Sequence, residues 1–536
     1  GARLSDADKA KLKALNEQDA ALSAKYVDLL LGAAKDAALV VGDAAELAGL
    51  SKDDLEAAAL SAKSRGLDGK WLIPLLNTTQ QPMLTSLTNR ATREKLFRAS
   101  WTRAERGDDN DTRQLIATLA ALRSRKAGLL GYPNFAAWAL EDQMAKTPSA
   151  VDQFLGRLTP PATANARAEA HDIQALIDTQ RGGFPLEPWD WDFYAEQVRK
   201  ARYDLDAAAL MPYFELNRVL HDGVFYAAQR LYGLTFKERL DIPVYQKDVR
   251  VFEVFDRDGT SMALFYCDYF ARDNKNGGAW MDNFVNQSKL LGTRPVVFNV
   301  ANFAKPAPGQ PALLSLDDVS TMFHEFGHAL HGLLANGRYP SLSGTSVARD
   351  FVELPSQFNE HWALDPTVLA HYAKHYKTGA PMPQALADKV AKAATFNQGY
   401  SLTEILGAAQ LDMAWHTLPA GSPEQAVDGF EGAALKAAGL DLPQVPPRYR
   451  SSYFLHVWAN NYAAGYYAYL WAEMLDNDAF AWFTEHGGLT RANGDRFRDM
   501  ILSRGNVSDY AAMYRAFRGQ DPSIEPMLRH RGIATK

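Results

Sequence analysis

The stretch Thr321-Met322-Phe323-His324-Glu325-Phe326-Gly327-His328-Ala329-Leu330-His331 limits what this chain can become more than any other. Histidines four apart on a helix leave the same face, close enough for both imidazoles to reach one ion. Glu325 sits about 100° further round the helix, from where its carboxylate can hold a water on that ion. The His-Glu-x-x-His pattern of zinc hydrolases therefore demands a helix, and the flanks provide its ends. Ser315-Leu316-Asp317-Asp318 has capping-box spacing, and Asn336-Gly337 has the chemistry of a C-terminal stop. The plainer alternative is an ordinary buried helix whose histidines bond to carbonyl groups. His331 is a further donor in principle, but a solvated or capping histidine is the expectation.

A catalytic zinc takes three protein ligands and keeps one position open. Glu353, within Arg349-Asp350-Phe351-Val352-Glu353-Leu354-Pro355-Ser356-Gln357, follows His328 by 25 residues, which suits a return loop and a second helix beside the first. Pro355 restricts where that helix begins: at Pro355 itself, or at Asp350 with a disturbed first turn. Asp350 reads as a helix cap, or as an acceptor that holds a ligand histidine in one tautomer. Glu360, seven residues after Glu353, shares its face and suits the same supporting task.

Elsewhere the helical period dominates, with caps at Ser5-x-x-Asp8, Ser51-x-x-Asp54 and Thr147-Pro148, and an extended or looped stretch from Trp71 to Pro82. The period changes at Val249–Phe255, which reads as a strand. Asp256–Gly259 turns it back to Met262–Tyr266, and Arg294–Val300 makes a third strand before the metal helix. The expected class is mainly α with one small β-sheet next to that helix. A free sheet edge there could pair with an extended peptide, although strands that merely cover a core would read the same. Further on, Tyr462, Tyr466 and Tyr469 share one face if the segment is helical. Such a stripe is usually core, yet a phenol or the imidazole of His456 can donate to a developing oxyanion.

Composition narrows the partners. With Lys+Arg 57 against Asp+Glu 63 the net charge is -6, so no basic excess exists to neutralise nucleic-acid phosphates. No run of about eighteen apolar residues occurs, so no membrane span is expected. Cys267 is the only cysteine, which rules out an intrachain disulfide and suits a reducing compartment. A cytoplasmic location is expected, with the periplasm also compatible.

The motifs together resemble the thimet oligopeptidase family of zinc peptidases: His324-Glu325-Phe326-Gly327-His328, Gly344-Thr345, Asp350-Phe351-Val352-Glu353-x-Pro355-Ser356-Gln357 and Tyr466-Tyr467-x-Tyr469-Leu470-Trp471. Asn77-Thr78-Thr79-Gln80-Gln81-Pro82, Gly277-Gly278-Ala279-Trp280-Met281, Asn359-Glu360-His361-Trp362, Ala463-Ala464-Gly465-Tyr466-Tyr467 and Ile501–Asn506 are similar to its bacterial peptidyl-dipeptidase branch. The resemblance implies one zinc per chain on His324, His328 and Glu353, with Glu325 as general base and His456, Tyr462 and Tyr469 around the tetrahedral intermediate. It implies a two-lobed helical ellipsoid with a deep substrate channel that admits short unfolded peptides, and a monomer is expected. Residues 1–85 are expected to form an N-terminal helical segment, shorter than usual for the family. Residues 86–533 should form the catalytic domain, with a helical lobe over about 86–245 and a metal-site lobe over about 246–533.

Release of C-terminal dipeptides is the leading activity. Internal cleavage by an oligopeptidase of the same family is its rival, and a non-catalytic peptide binder with a structural zinc is the reading from another class. Glu325 argues against the last, since a structural site needs no base. Dipeptide release needs a receptor for the substrate carboxylate, for which Arg349, Arg448, Tyr449 and Arg450 are candidates.

Overall fold

The computed structural model describes residues 1–533 except 206–208, 273–274, 276–277 and 307–308, and Asp53 in its backbone only. Gly277, in one of the motifs above, lies outside the described residues. Helix accounts for 55% of the chain and strand for 9%, so the fold is mainly α. Local capping chemistry sets many helix starts. Ser5 accepts the amide of Asp8 at the head of the Asp6–Asp36 helix, and Ser51 and Asp54 close a capping box before Lys52–Ser64. Thr147 caps Pro148–Thr179 with proline at the first helical position. Among the described residues no helix is long and apolar enough to cross a membrane.

The chain forms two compact units, and their boundaries differ from the expected ones. The first holds Gly1–Arg202, Phe396–Tyr467 and the C-terminal residues from Gly532; the second holds Tyr203–Thr395 and Ala468–Arg531. Residues 1–85 are not a separate segment, because Tyr26 donates to Ser452 O and Thr79 to Pro447 O inside the first unit. Residues 396–467 leave the expected metal-site lobe for the same kind of reason. The Gln398–His416 helix packs on Pro148–Thr179, and Gly399 permits this: a Cβ there would lie 2.4 Å from Ala166 N. Trp191 fixes the join, its ring 4.6 Å from that of Tyr400 and its Nε1 donating to Asn397 Oδ1 at 2.9 Å. Contacts between stretches so distant in sequence leave no local signature.

The first unit also has a two-stranded antiparallel sheet, β1 (Leu39–Val41) with β2 (Trp71–Ile73), so the expectation of a single sheet is corrected. Among the described residues the second unit has five strands: β3 (Thr235–Glu238), β4 (Arg250–Phe255), β5 (Ser261–Phe270), β6 (Trp280–Val285) and β7 (Val296–Phe303). Their spatial order is β3-β4-β5-β7-β6, with β5 and β7 parallel and the other pairs antiparallel. Three of the five follow from the sequence pattern; β3 does not, being four residues long, and β6 does not, because its apolar residues come in adjacent pairs and do not alternate. Among the described residues β6 has β7 as its one neighbour in the sheet, so it is an edge strand there.

The metal-motif helix, Leu316–Leu333, begins at the expected capping box between Ser315 and Asp318. It ends before Asn336-Gly337, because the Asn336 amide is used on Ser503 O and that of Gly337 on Gln287 Oε1. Phe326 anchors the helix to the sheet, its ring 5.3 Å from Phe265, 5.8 Å from Phe225 and 5.9 Å from Phe236.

Candidate metal centre

Glu353 lies at a break between two short helices, Arg349–Val352 and Leu354–Glu360. Pro355 explains the break: it brings no amide to the first turn and disfavours a continuous helix through Glu353. Of the two starts left open, the one at Asp350 with a disturbed turn is observed. Asp350 is completely buried inside the first short helix, and Ala348 holds the N-cap position, so Asp350 is not its cap.

Glycine brings this segment against the metal-motif helix. A Cβ on Gly327 would stand 2.5 Å from Pro355 O and 2.6 Å from Ser356 Cα, so no larger residue fits the crossing without displacement. Asn359 Nδ2 then donates to Phe323 O at 2.7 Å and ties the two helices. With the backbones this close, Glu353 Oε2 stands 3.4 Å from His324 Nε2 and 3.1 Å from His328 Nε2. One donor atom from each of the three residues lies within 4.8 Å of the others.

Around these donors the protein sets orientation and charge. His324 Nδ1 donates to Glu360 Oε1 at 2.6 Å, which leaves Nε2 with a free lone pair. Ser320 Oγ steadies Glu360 from the preceding turn at 3.2 Å, and Ser356 Oγ donates to Glu353 Oε2 at 2.9 Å. Ser356 and Asn359 are supports the sequence reading missed; Ser356, three residues after Glu353, was within reach of a local signal, whereas the Asn359 bond to Phe323 O is a tertiary contact. Burial alone would raise Glu353, but hydrogen bonds with His324 and His328 outweigh it and hold its carboxyl well below the usual range. Burial likewise works against a charged His324, but Glu353 and Glu360 outweigh it and raise this imidazole well above its ordinary value. Two imidazoles and a carboxylate that draw positive charge to one point fit a divalent cation with nitrogen and oxygen preference, zinc above all.

Glu325 is 5% exposed, and its Oε2 is buried without a partner among the described residues. Burial raises its carboxyl above the ordinary range, with His324 and His328 pulling the other way. Asn299 of β7 holds the Glu325 carbonyl at 2.8 Å. His331 departs from expectation: it is completely buried, neither solvated nor capping, and both ring nitrogens lack a partner among the described residues.

The remaining candidates divide between the units. Tyr469 and Arg349 belong to the second unit with the metal donors; His456, Tyr462, Arg448, Tyr449 and Arg450 belong to the first. Tyr462, Tyr466 and Tyr469 do not share a helical face. The helix of that region begins only at Ala468, and Asn461 and Ala464 adopt left-handed φ values of 61° and 52°. Within the first unit His456 faces the rings of Tyr449, Tyr462 and Tyr466 at 5.1, 5.7 and 5.3 Å. Burial, with Arg448 adding to it, lowers His456 to about 4 and keeps it neutral near neutral pH. Arg450 is buried and held by Glu105 and by Glu431. Tyr449 is buried and stacked on Phe454. Arg448 has a side chain 39% exposed and pairs with Glu404 through Nη1 at 2.8 Å.

Known proteins are similar to this chain over most of its length. The profile of peptidase family M3 matches residues 83–533. A dipeptidyl carboxypeptidase of Escherichia coli (strain K12) is 58% identical over 99% of this chain and 78% of its own length. Oligopeptidase A of the same organism is 37% identical over 96% of this chain and 76% of its own. A solved structure described as a putative oligoendopeptidase F shares the fold at 14% identity, with a TM-score of 0.52 over 97% of this chain and 74% of that one.

Proposed function

Because the chain belongs to peptidase family M3 and is a peptidyl-dipeptidase of that family, we propose that His324, His328 and Glu353 hold one zinc ion and that Glu325 is the general base. The observation that carries this reading is the meeting of three donor atoms within 4.8 Å on the helix that also bears a buried, unpartnered carboxylate oxygen. When bound, zinc polarises the scissile carbonyl and makes water nucleophilic near neutral pH.

The chain's own residues supply the rest. Glu325 takes the proton of the attacking water as the C–O bond forms, then passes it to the amide nitrogen as the C–N bond breaks. Burial favours this role by raising the basicity of the carboxylate. Glu360 keeps His324 in the tautomer that presents Nε2. The outer edge of β6 offers an extended peptide main-chain partners. For His456, Tyr462 and Tyr469 we keep, on chemistry alone, the role of donors to the developing oxyanion. For the substrate's terminal carboxylate Arg448 is better supported than its neighbours, since Arg450 is already committed to two carboxylates and Tyr449 is buried in a stack; Arg349 stays a candidate beside it.

Glu325→Gln tests the base. The substitution leaves all three zinc donors in place, so metal content should be unchanged while kcat falls by about 10²–10⁴-fold. Near-normal turnover of a zinc-loaded variant would overturn the assignment.

A further inference from the structure

The turn that carries Tyr462 and Tyr466 has no regular secondary structure to hold it, yet its backbone is strained at Ala464, a residue with a Cβ at φ 52°. A conformation of this kind persists only where the surroundings over-determine it. A buried carboxylate supplies the restraint at this residue. Asp412, completely buried on the Gln398–His416 helix, accepts three successive amides at 2.8 Å each: Ala464 on Oδ1, and Gly465 and Tyr466 on Oδ2. Consecutive amides turned inward around a left-handed residue form an anion nest, and Asp412 is its anion.

The same carboxylate is fixed from behind. His416 Nδ1 donates to the Asp412 backbone carbonyl at 2.8 Å and stands 2.8 Å from Asp412 Oδ1, and Arg123 Nη1 donates to His416 Nε2 at 3.0 Å, so the imidazole carries its proton on the side facing Asp412. Arg123 also donates to Val457 O at 2.7 Å and to Trp458 O at 3.1 Å, on the far side of the turn. Residues 459–463 are thus bounded by carbonyls held on a guanidinium and by amides held on a carboxylate. Inside that span the Tyr462 amide donates to His456 O at 2.9 Å, and the Gly465 amide donates to Tyr462 O at 2.8 Å.

We infer that Asp412 is a positioning residue, which with His416 and Arg123 forms a buried clamp that sets the turn presenting His456 and Tyr462 for catalysis. None of the three touches substrate; they act through the backbone of the turn. The inference depends on the proposed function only for its effect on turnover.

Hydrogen exchange on the intact, zinc-loaded enzyme reads the clamp without turnover. The amides of Ala464, Gly465 and Tyr466 should exchange at least about 100-fold more slowly than free peptide. In D412N a carboxamide NH₂ must face either two of these amides or the third together with His416. Protection of the three should then fall by at least about tenfold, with the amides of Leu316–Leu333 unchanged. Free-peptide exchange in the wild type would overturn the clamp. For positioning, kcat of D412N per zinc-loaded molecule should fall by about 10–100-fold, with KM within about threefold. A kcat within about twofold of wild type would overturn the positioning role and leave a purely structural one. If D412N does not fold, H416Q removes one contact behind the carboxylate. Loss of protection confined to the same three amides, with lower kcat, supports the inference, and unchanged protection and kcat overturn it. Failure of the proposed function would show in Glu325→Gln and leave the exchange result standing.

Discussion

Glu360 makes a single short contact with the metal site, at 2.6 Å to His324 Nδ1, yet that contact decides which imidazole nitrogen faces the zinc donors. Glu360→Gln keeps the shape and removes the charge, so zinc affinity should drop by about 10–100-fold, measured by competition with a chelator. Loss of the negative charge that makes His324 a stronger ligand is the cause, and helical content should not change. His331 gives a residue-scale prediction about stability. Burial lowers its pKa to about 3, whereas an unfolded histidine titrates near 6.5. Between these values the unfolded chain binds a proton that the folded chain refuses, so this site costs stability as pH falls. Relative to His331→Gln, the wild type should lose about 1.4 kcal/mol between pH 7.5 and pH 5.5, read from urea unfolding of the chelated proteins.

At the scale of elements, the crossing of two helices matters most. Gly327 lets the Leu316–Leu333 helix meet the Glu353 segment, and an added methyl would press on Pro355 O and Ser356 Cα. Overpacking of this kind costs about 1–3 kcal/mol. Here it should emerge as displaced donors, so Gly327→Ala should bind zinc at least about tenfold more weakly while keeping its far-ultraviolet circular dichroism. Unchanged affinity would show that the Glu353 segment relaxes freely. The start of the metal-motif helix was legible, because Ser315 and Asp318 cap it with their own atoms. The tyrosine face was not. Its periodicity is genuine, but the amides of Ala464, Gly465 and Tyr466 are taken by Asp412, about fifty residues earlier in the chain, and cannot serve a helix.

For the molecule as a whole, the prediction concerns where peptides are cut. An enzyme that releases dipeptides counts from the substrate's carboxylate, so timed digests of free-acid peptides should shorten by two residues at each step. C-terminal amidation should slow this strongly, because an amide cannot reproduce charge-assisted bonds to a guanidinium. Arg448→Ala should reduce the preference for acid over amide while leaving zinc content unchanged. Cuts at fixed internal sequences, read by mass spectrometry, would place the chain with the oligopeptidases and leave the zinc assignment intact.

The sequence by itself determined the features whose partners are close along the chain. Two histidines and a glutamate on one helix share a geometry fixed by 3.6 residues per turn, and the capping box, the three clear strands and the proline-disturbed start before Glu353 are equally local. Motif resemblance extended that reach to the family, which the comparisons show. Tertiary structure alone decided which stretches assemble: residues 396–467 with the N-terminal helices, β6 on the outer edge of β7, and His331 in the core instead of in water. It also separated the candidate carboxylate receptors, because Arg448 and Arg450 stand two residues apart with the same chemistry. The acids folded against them are what differ: Glu105 and Glu431 hold Arg450 in a buried network, and Glu404 leaves Arg448 partly open to solvent. Burial and partner choice depend on residues 19, 44 and 345 positions away, and no local pattern encodes them.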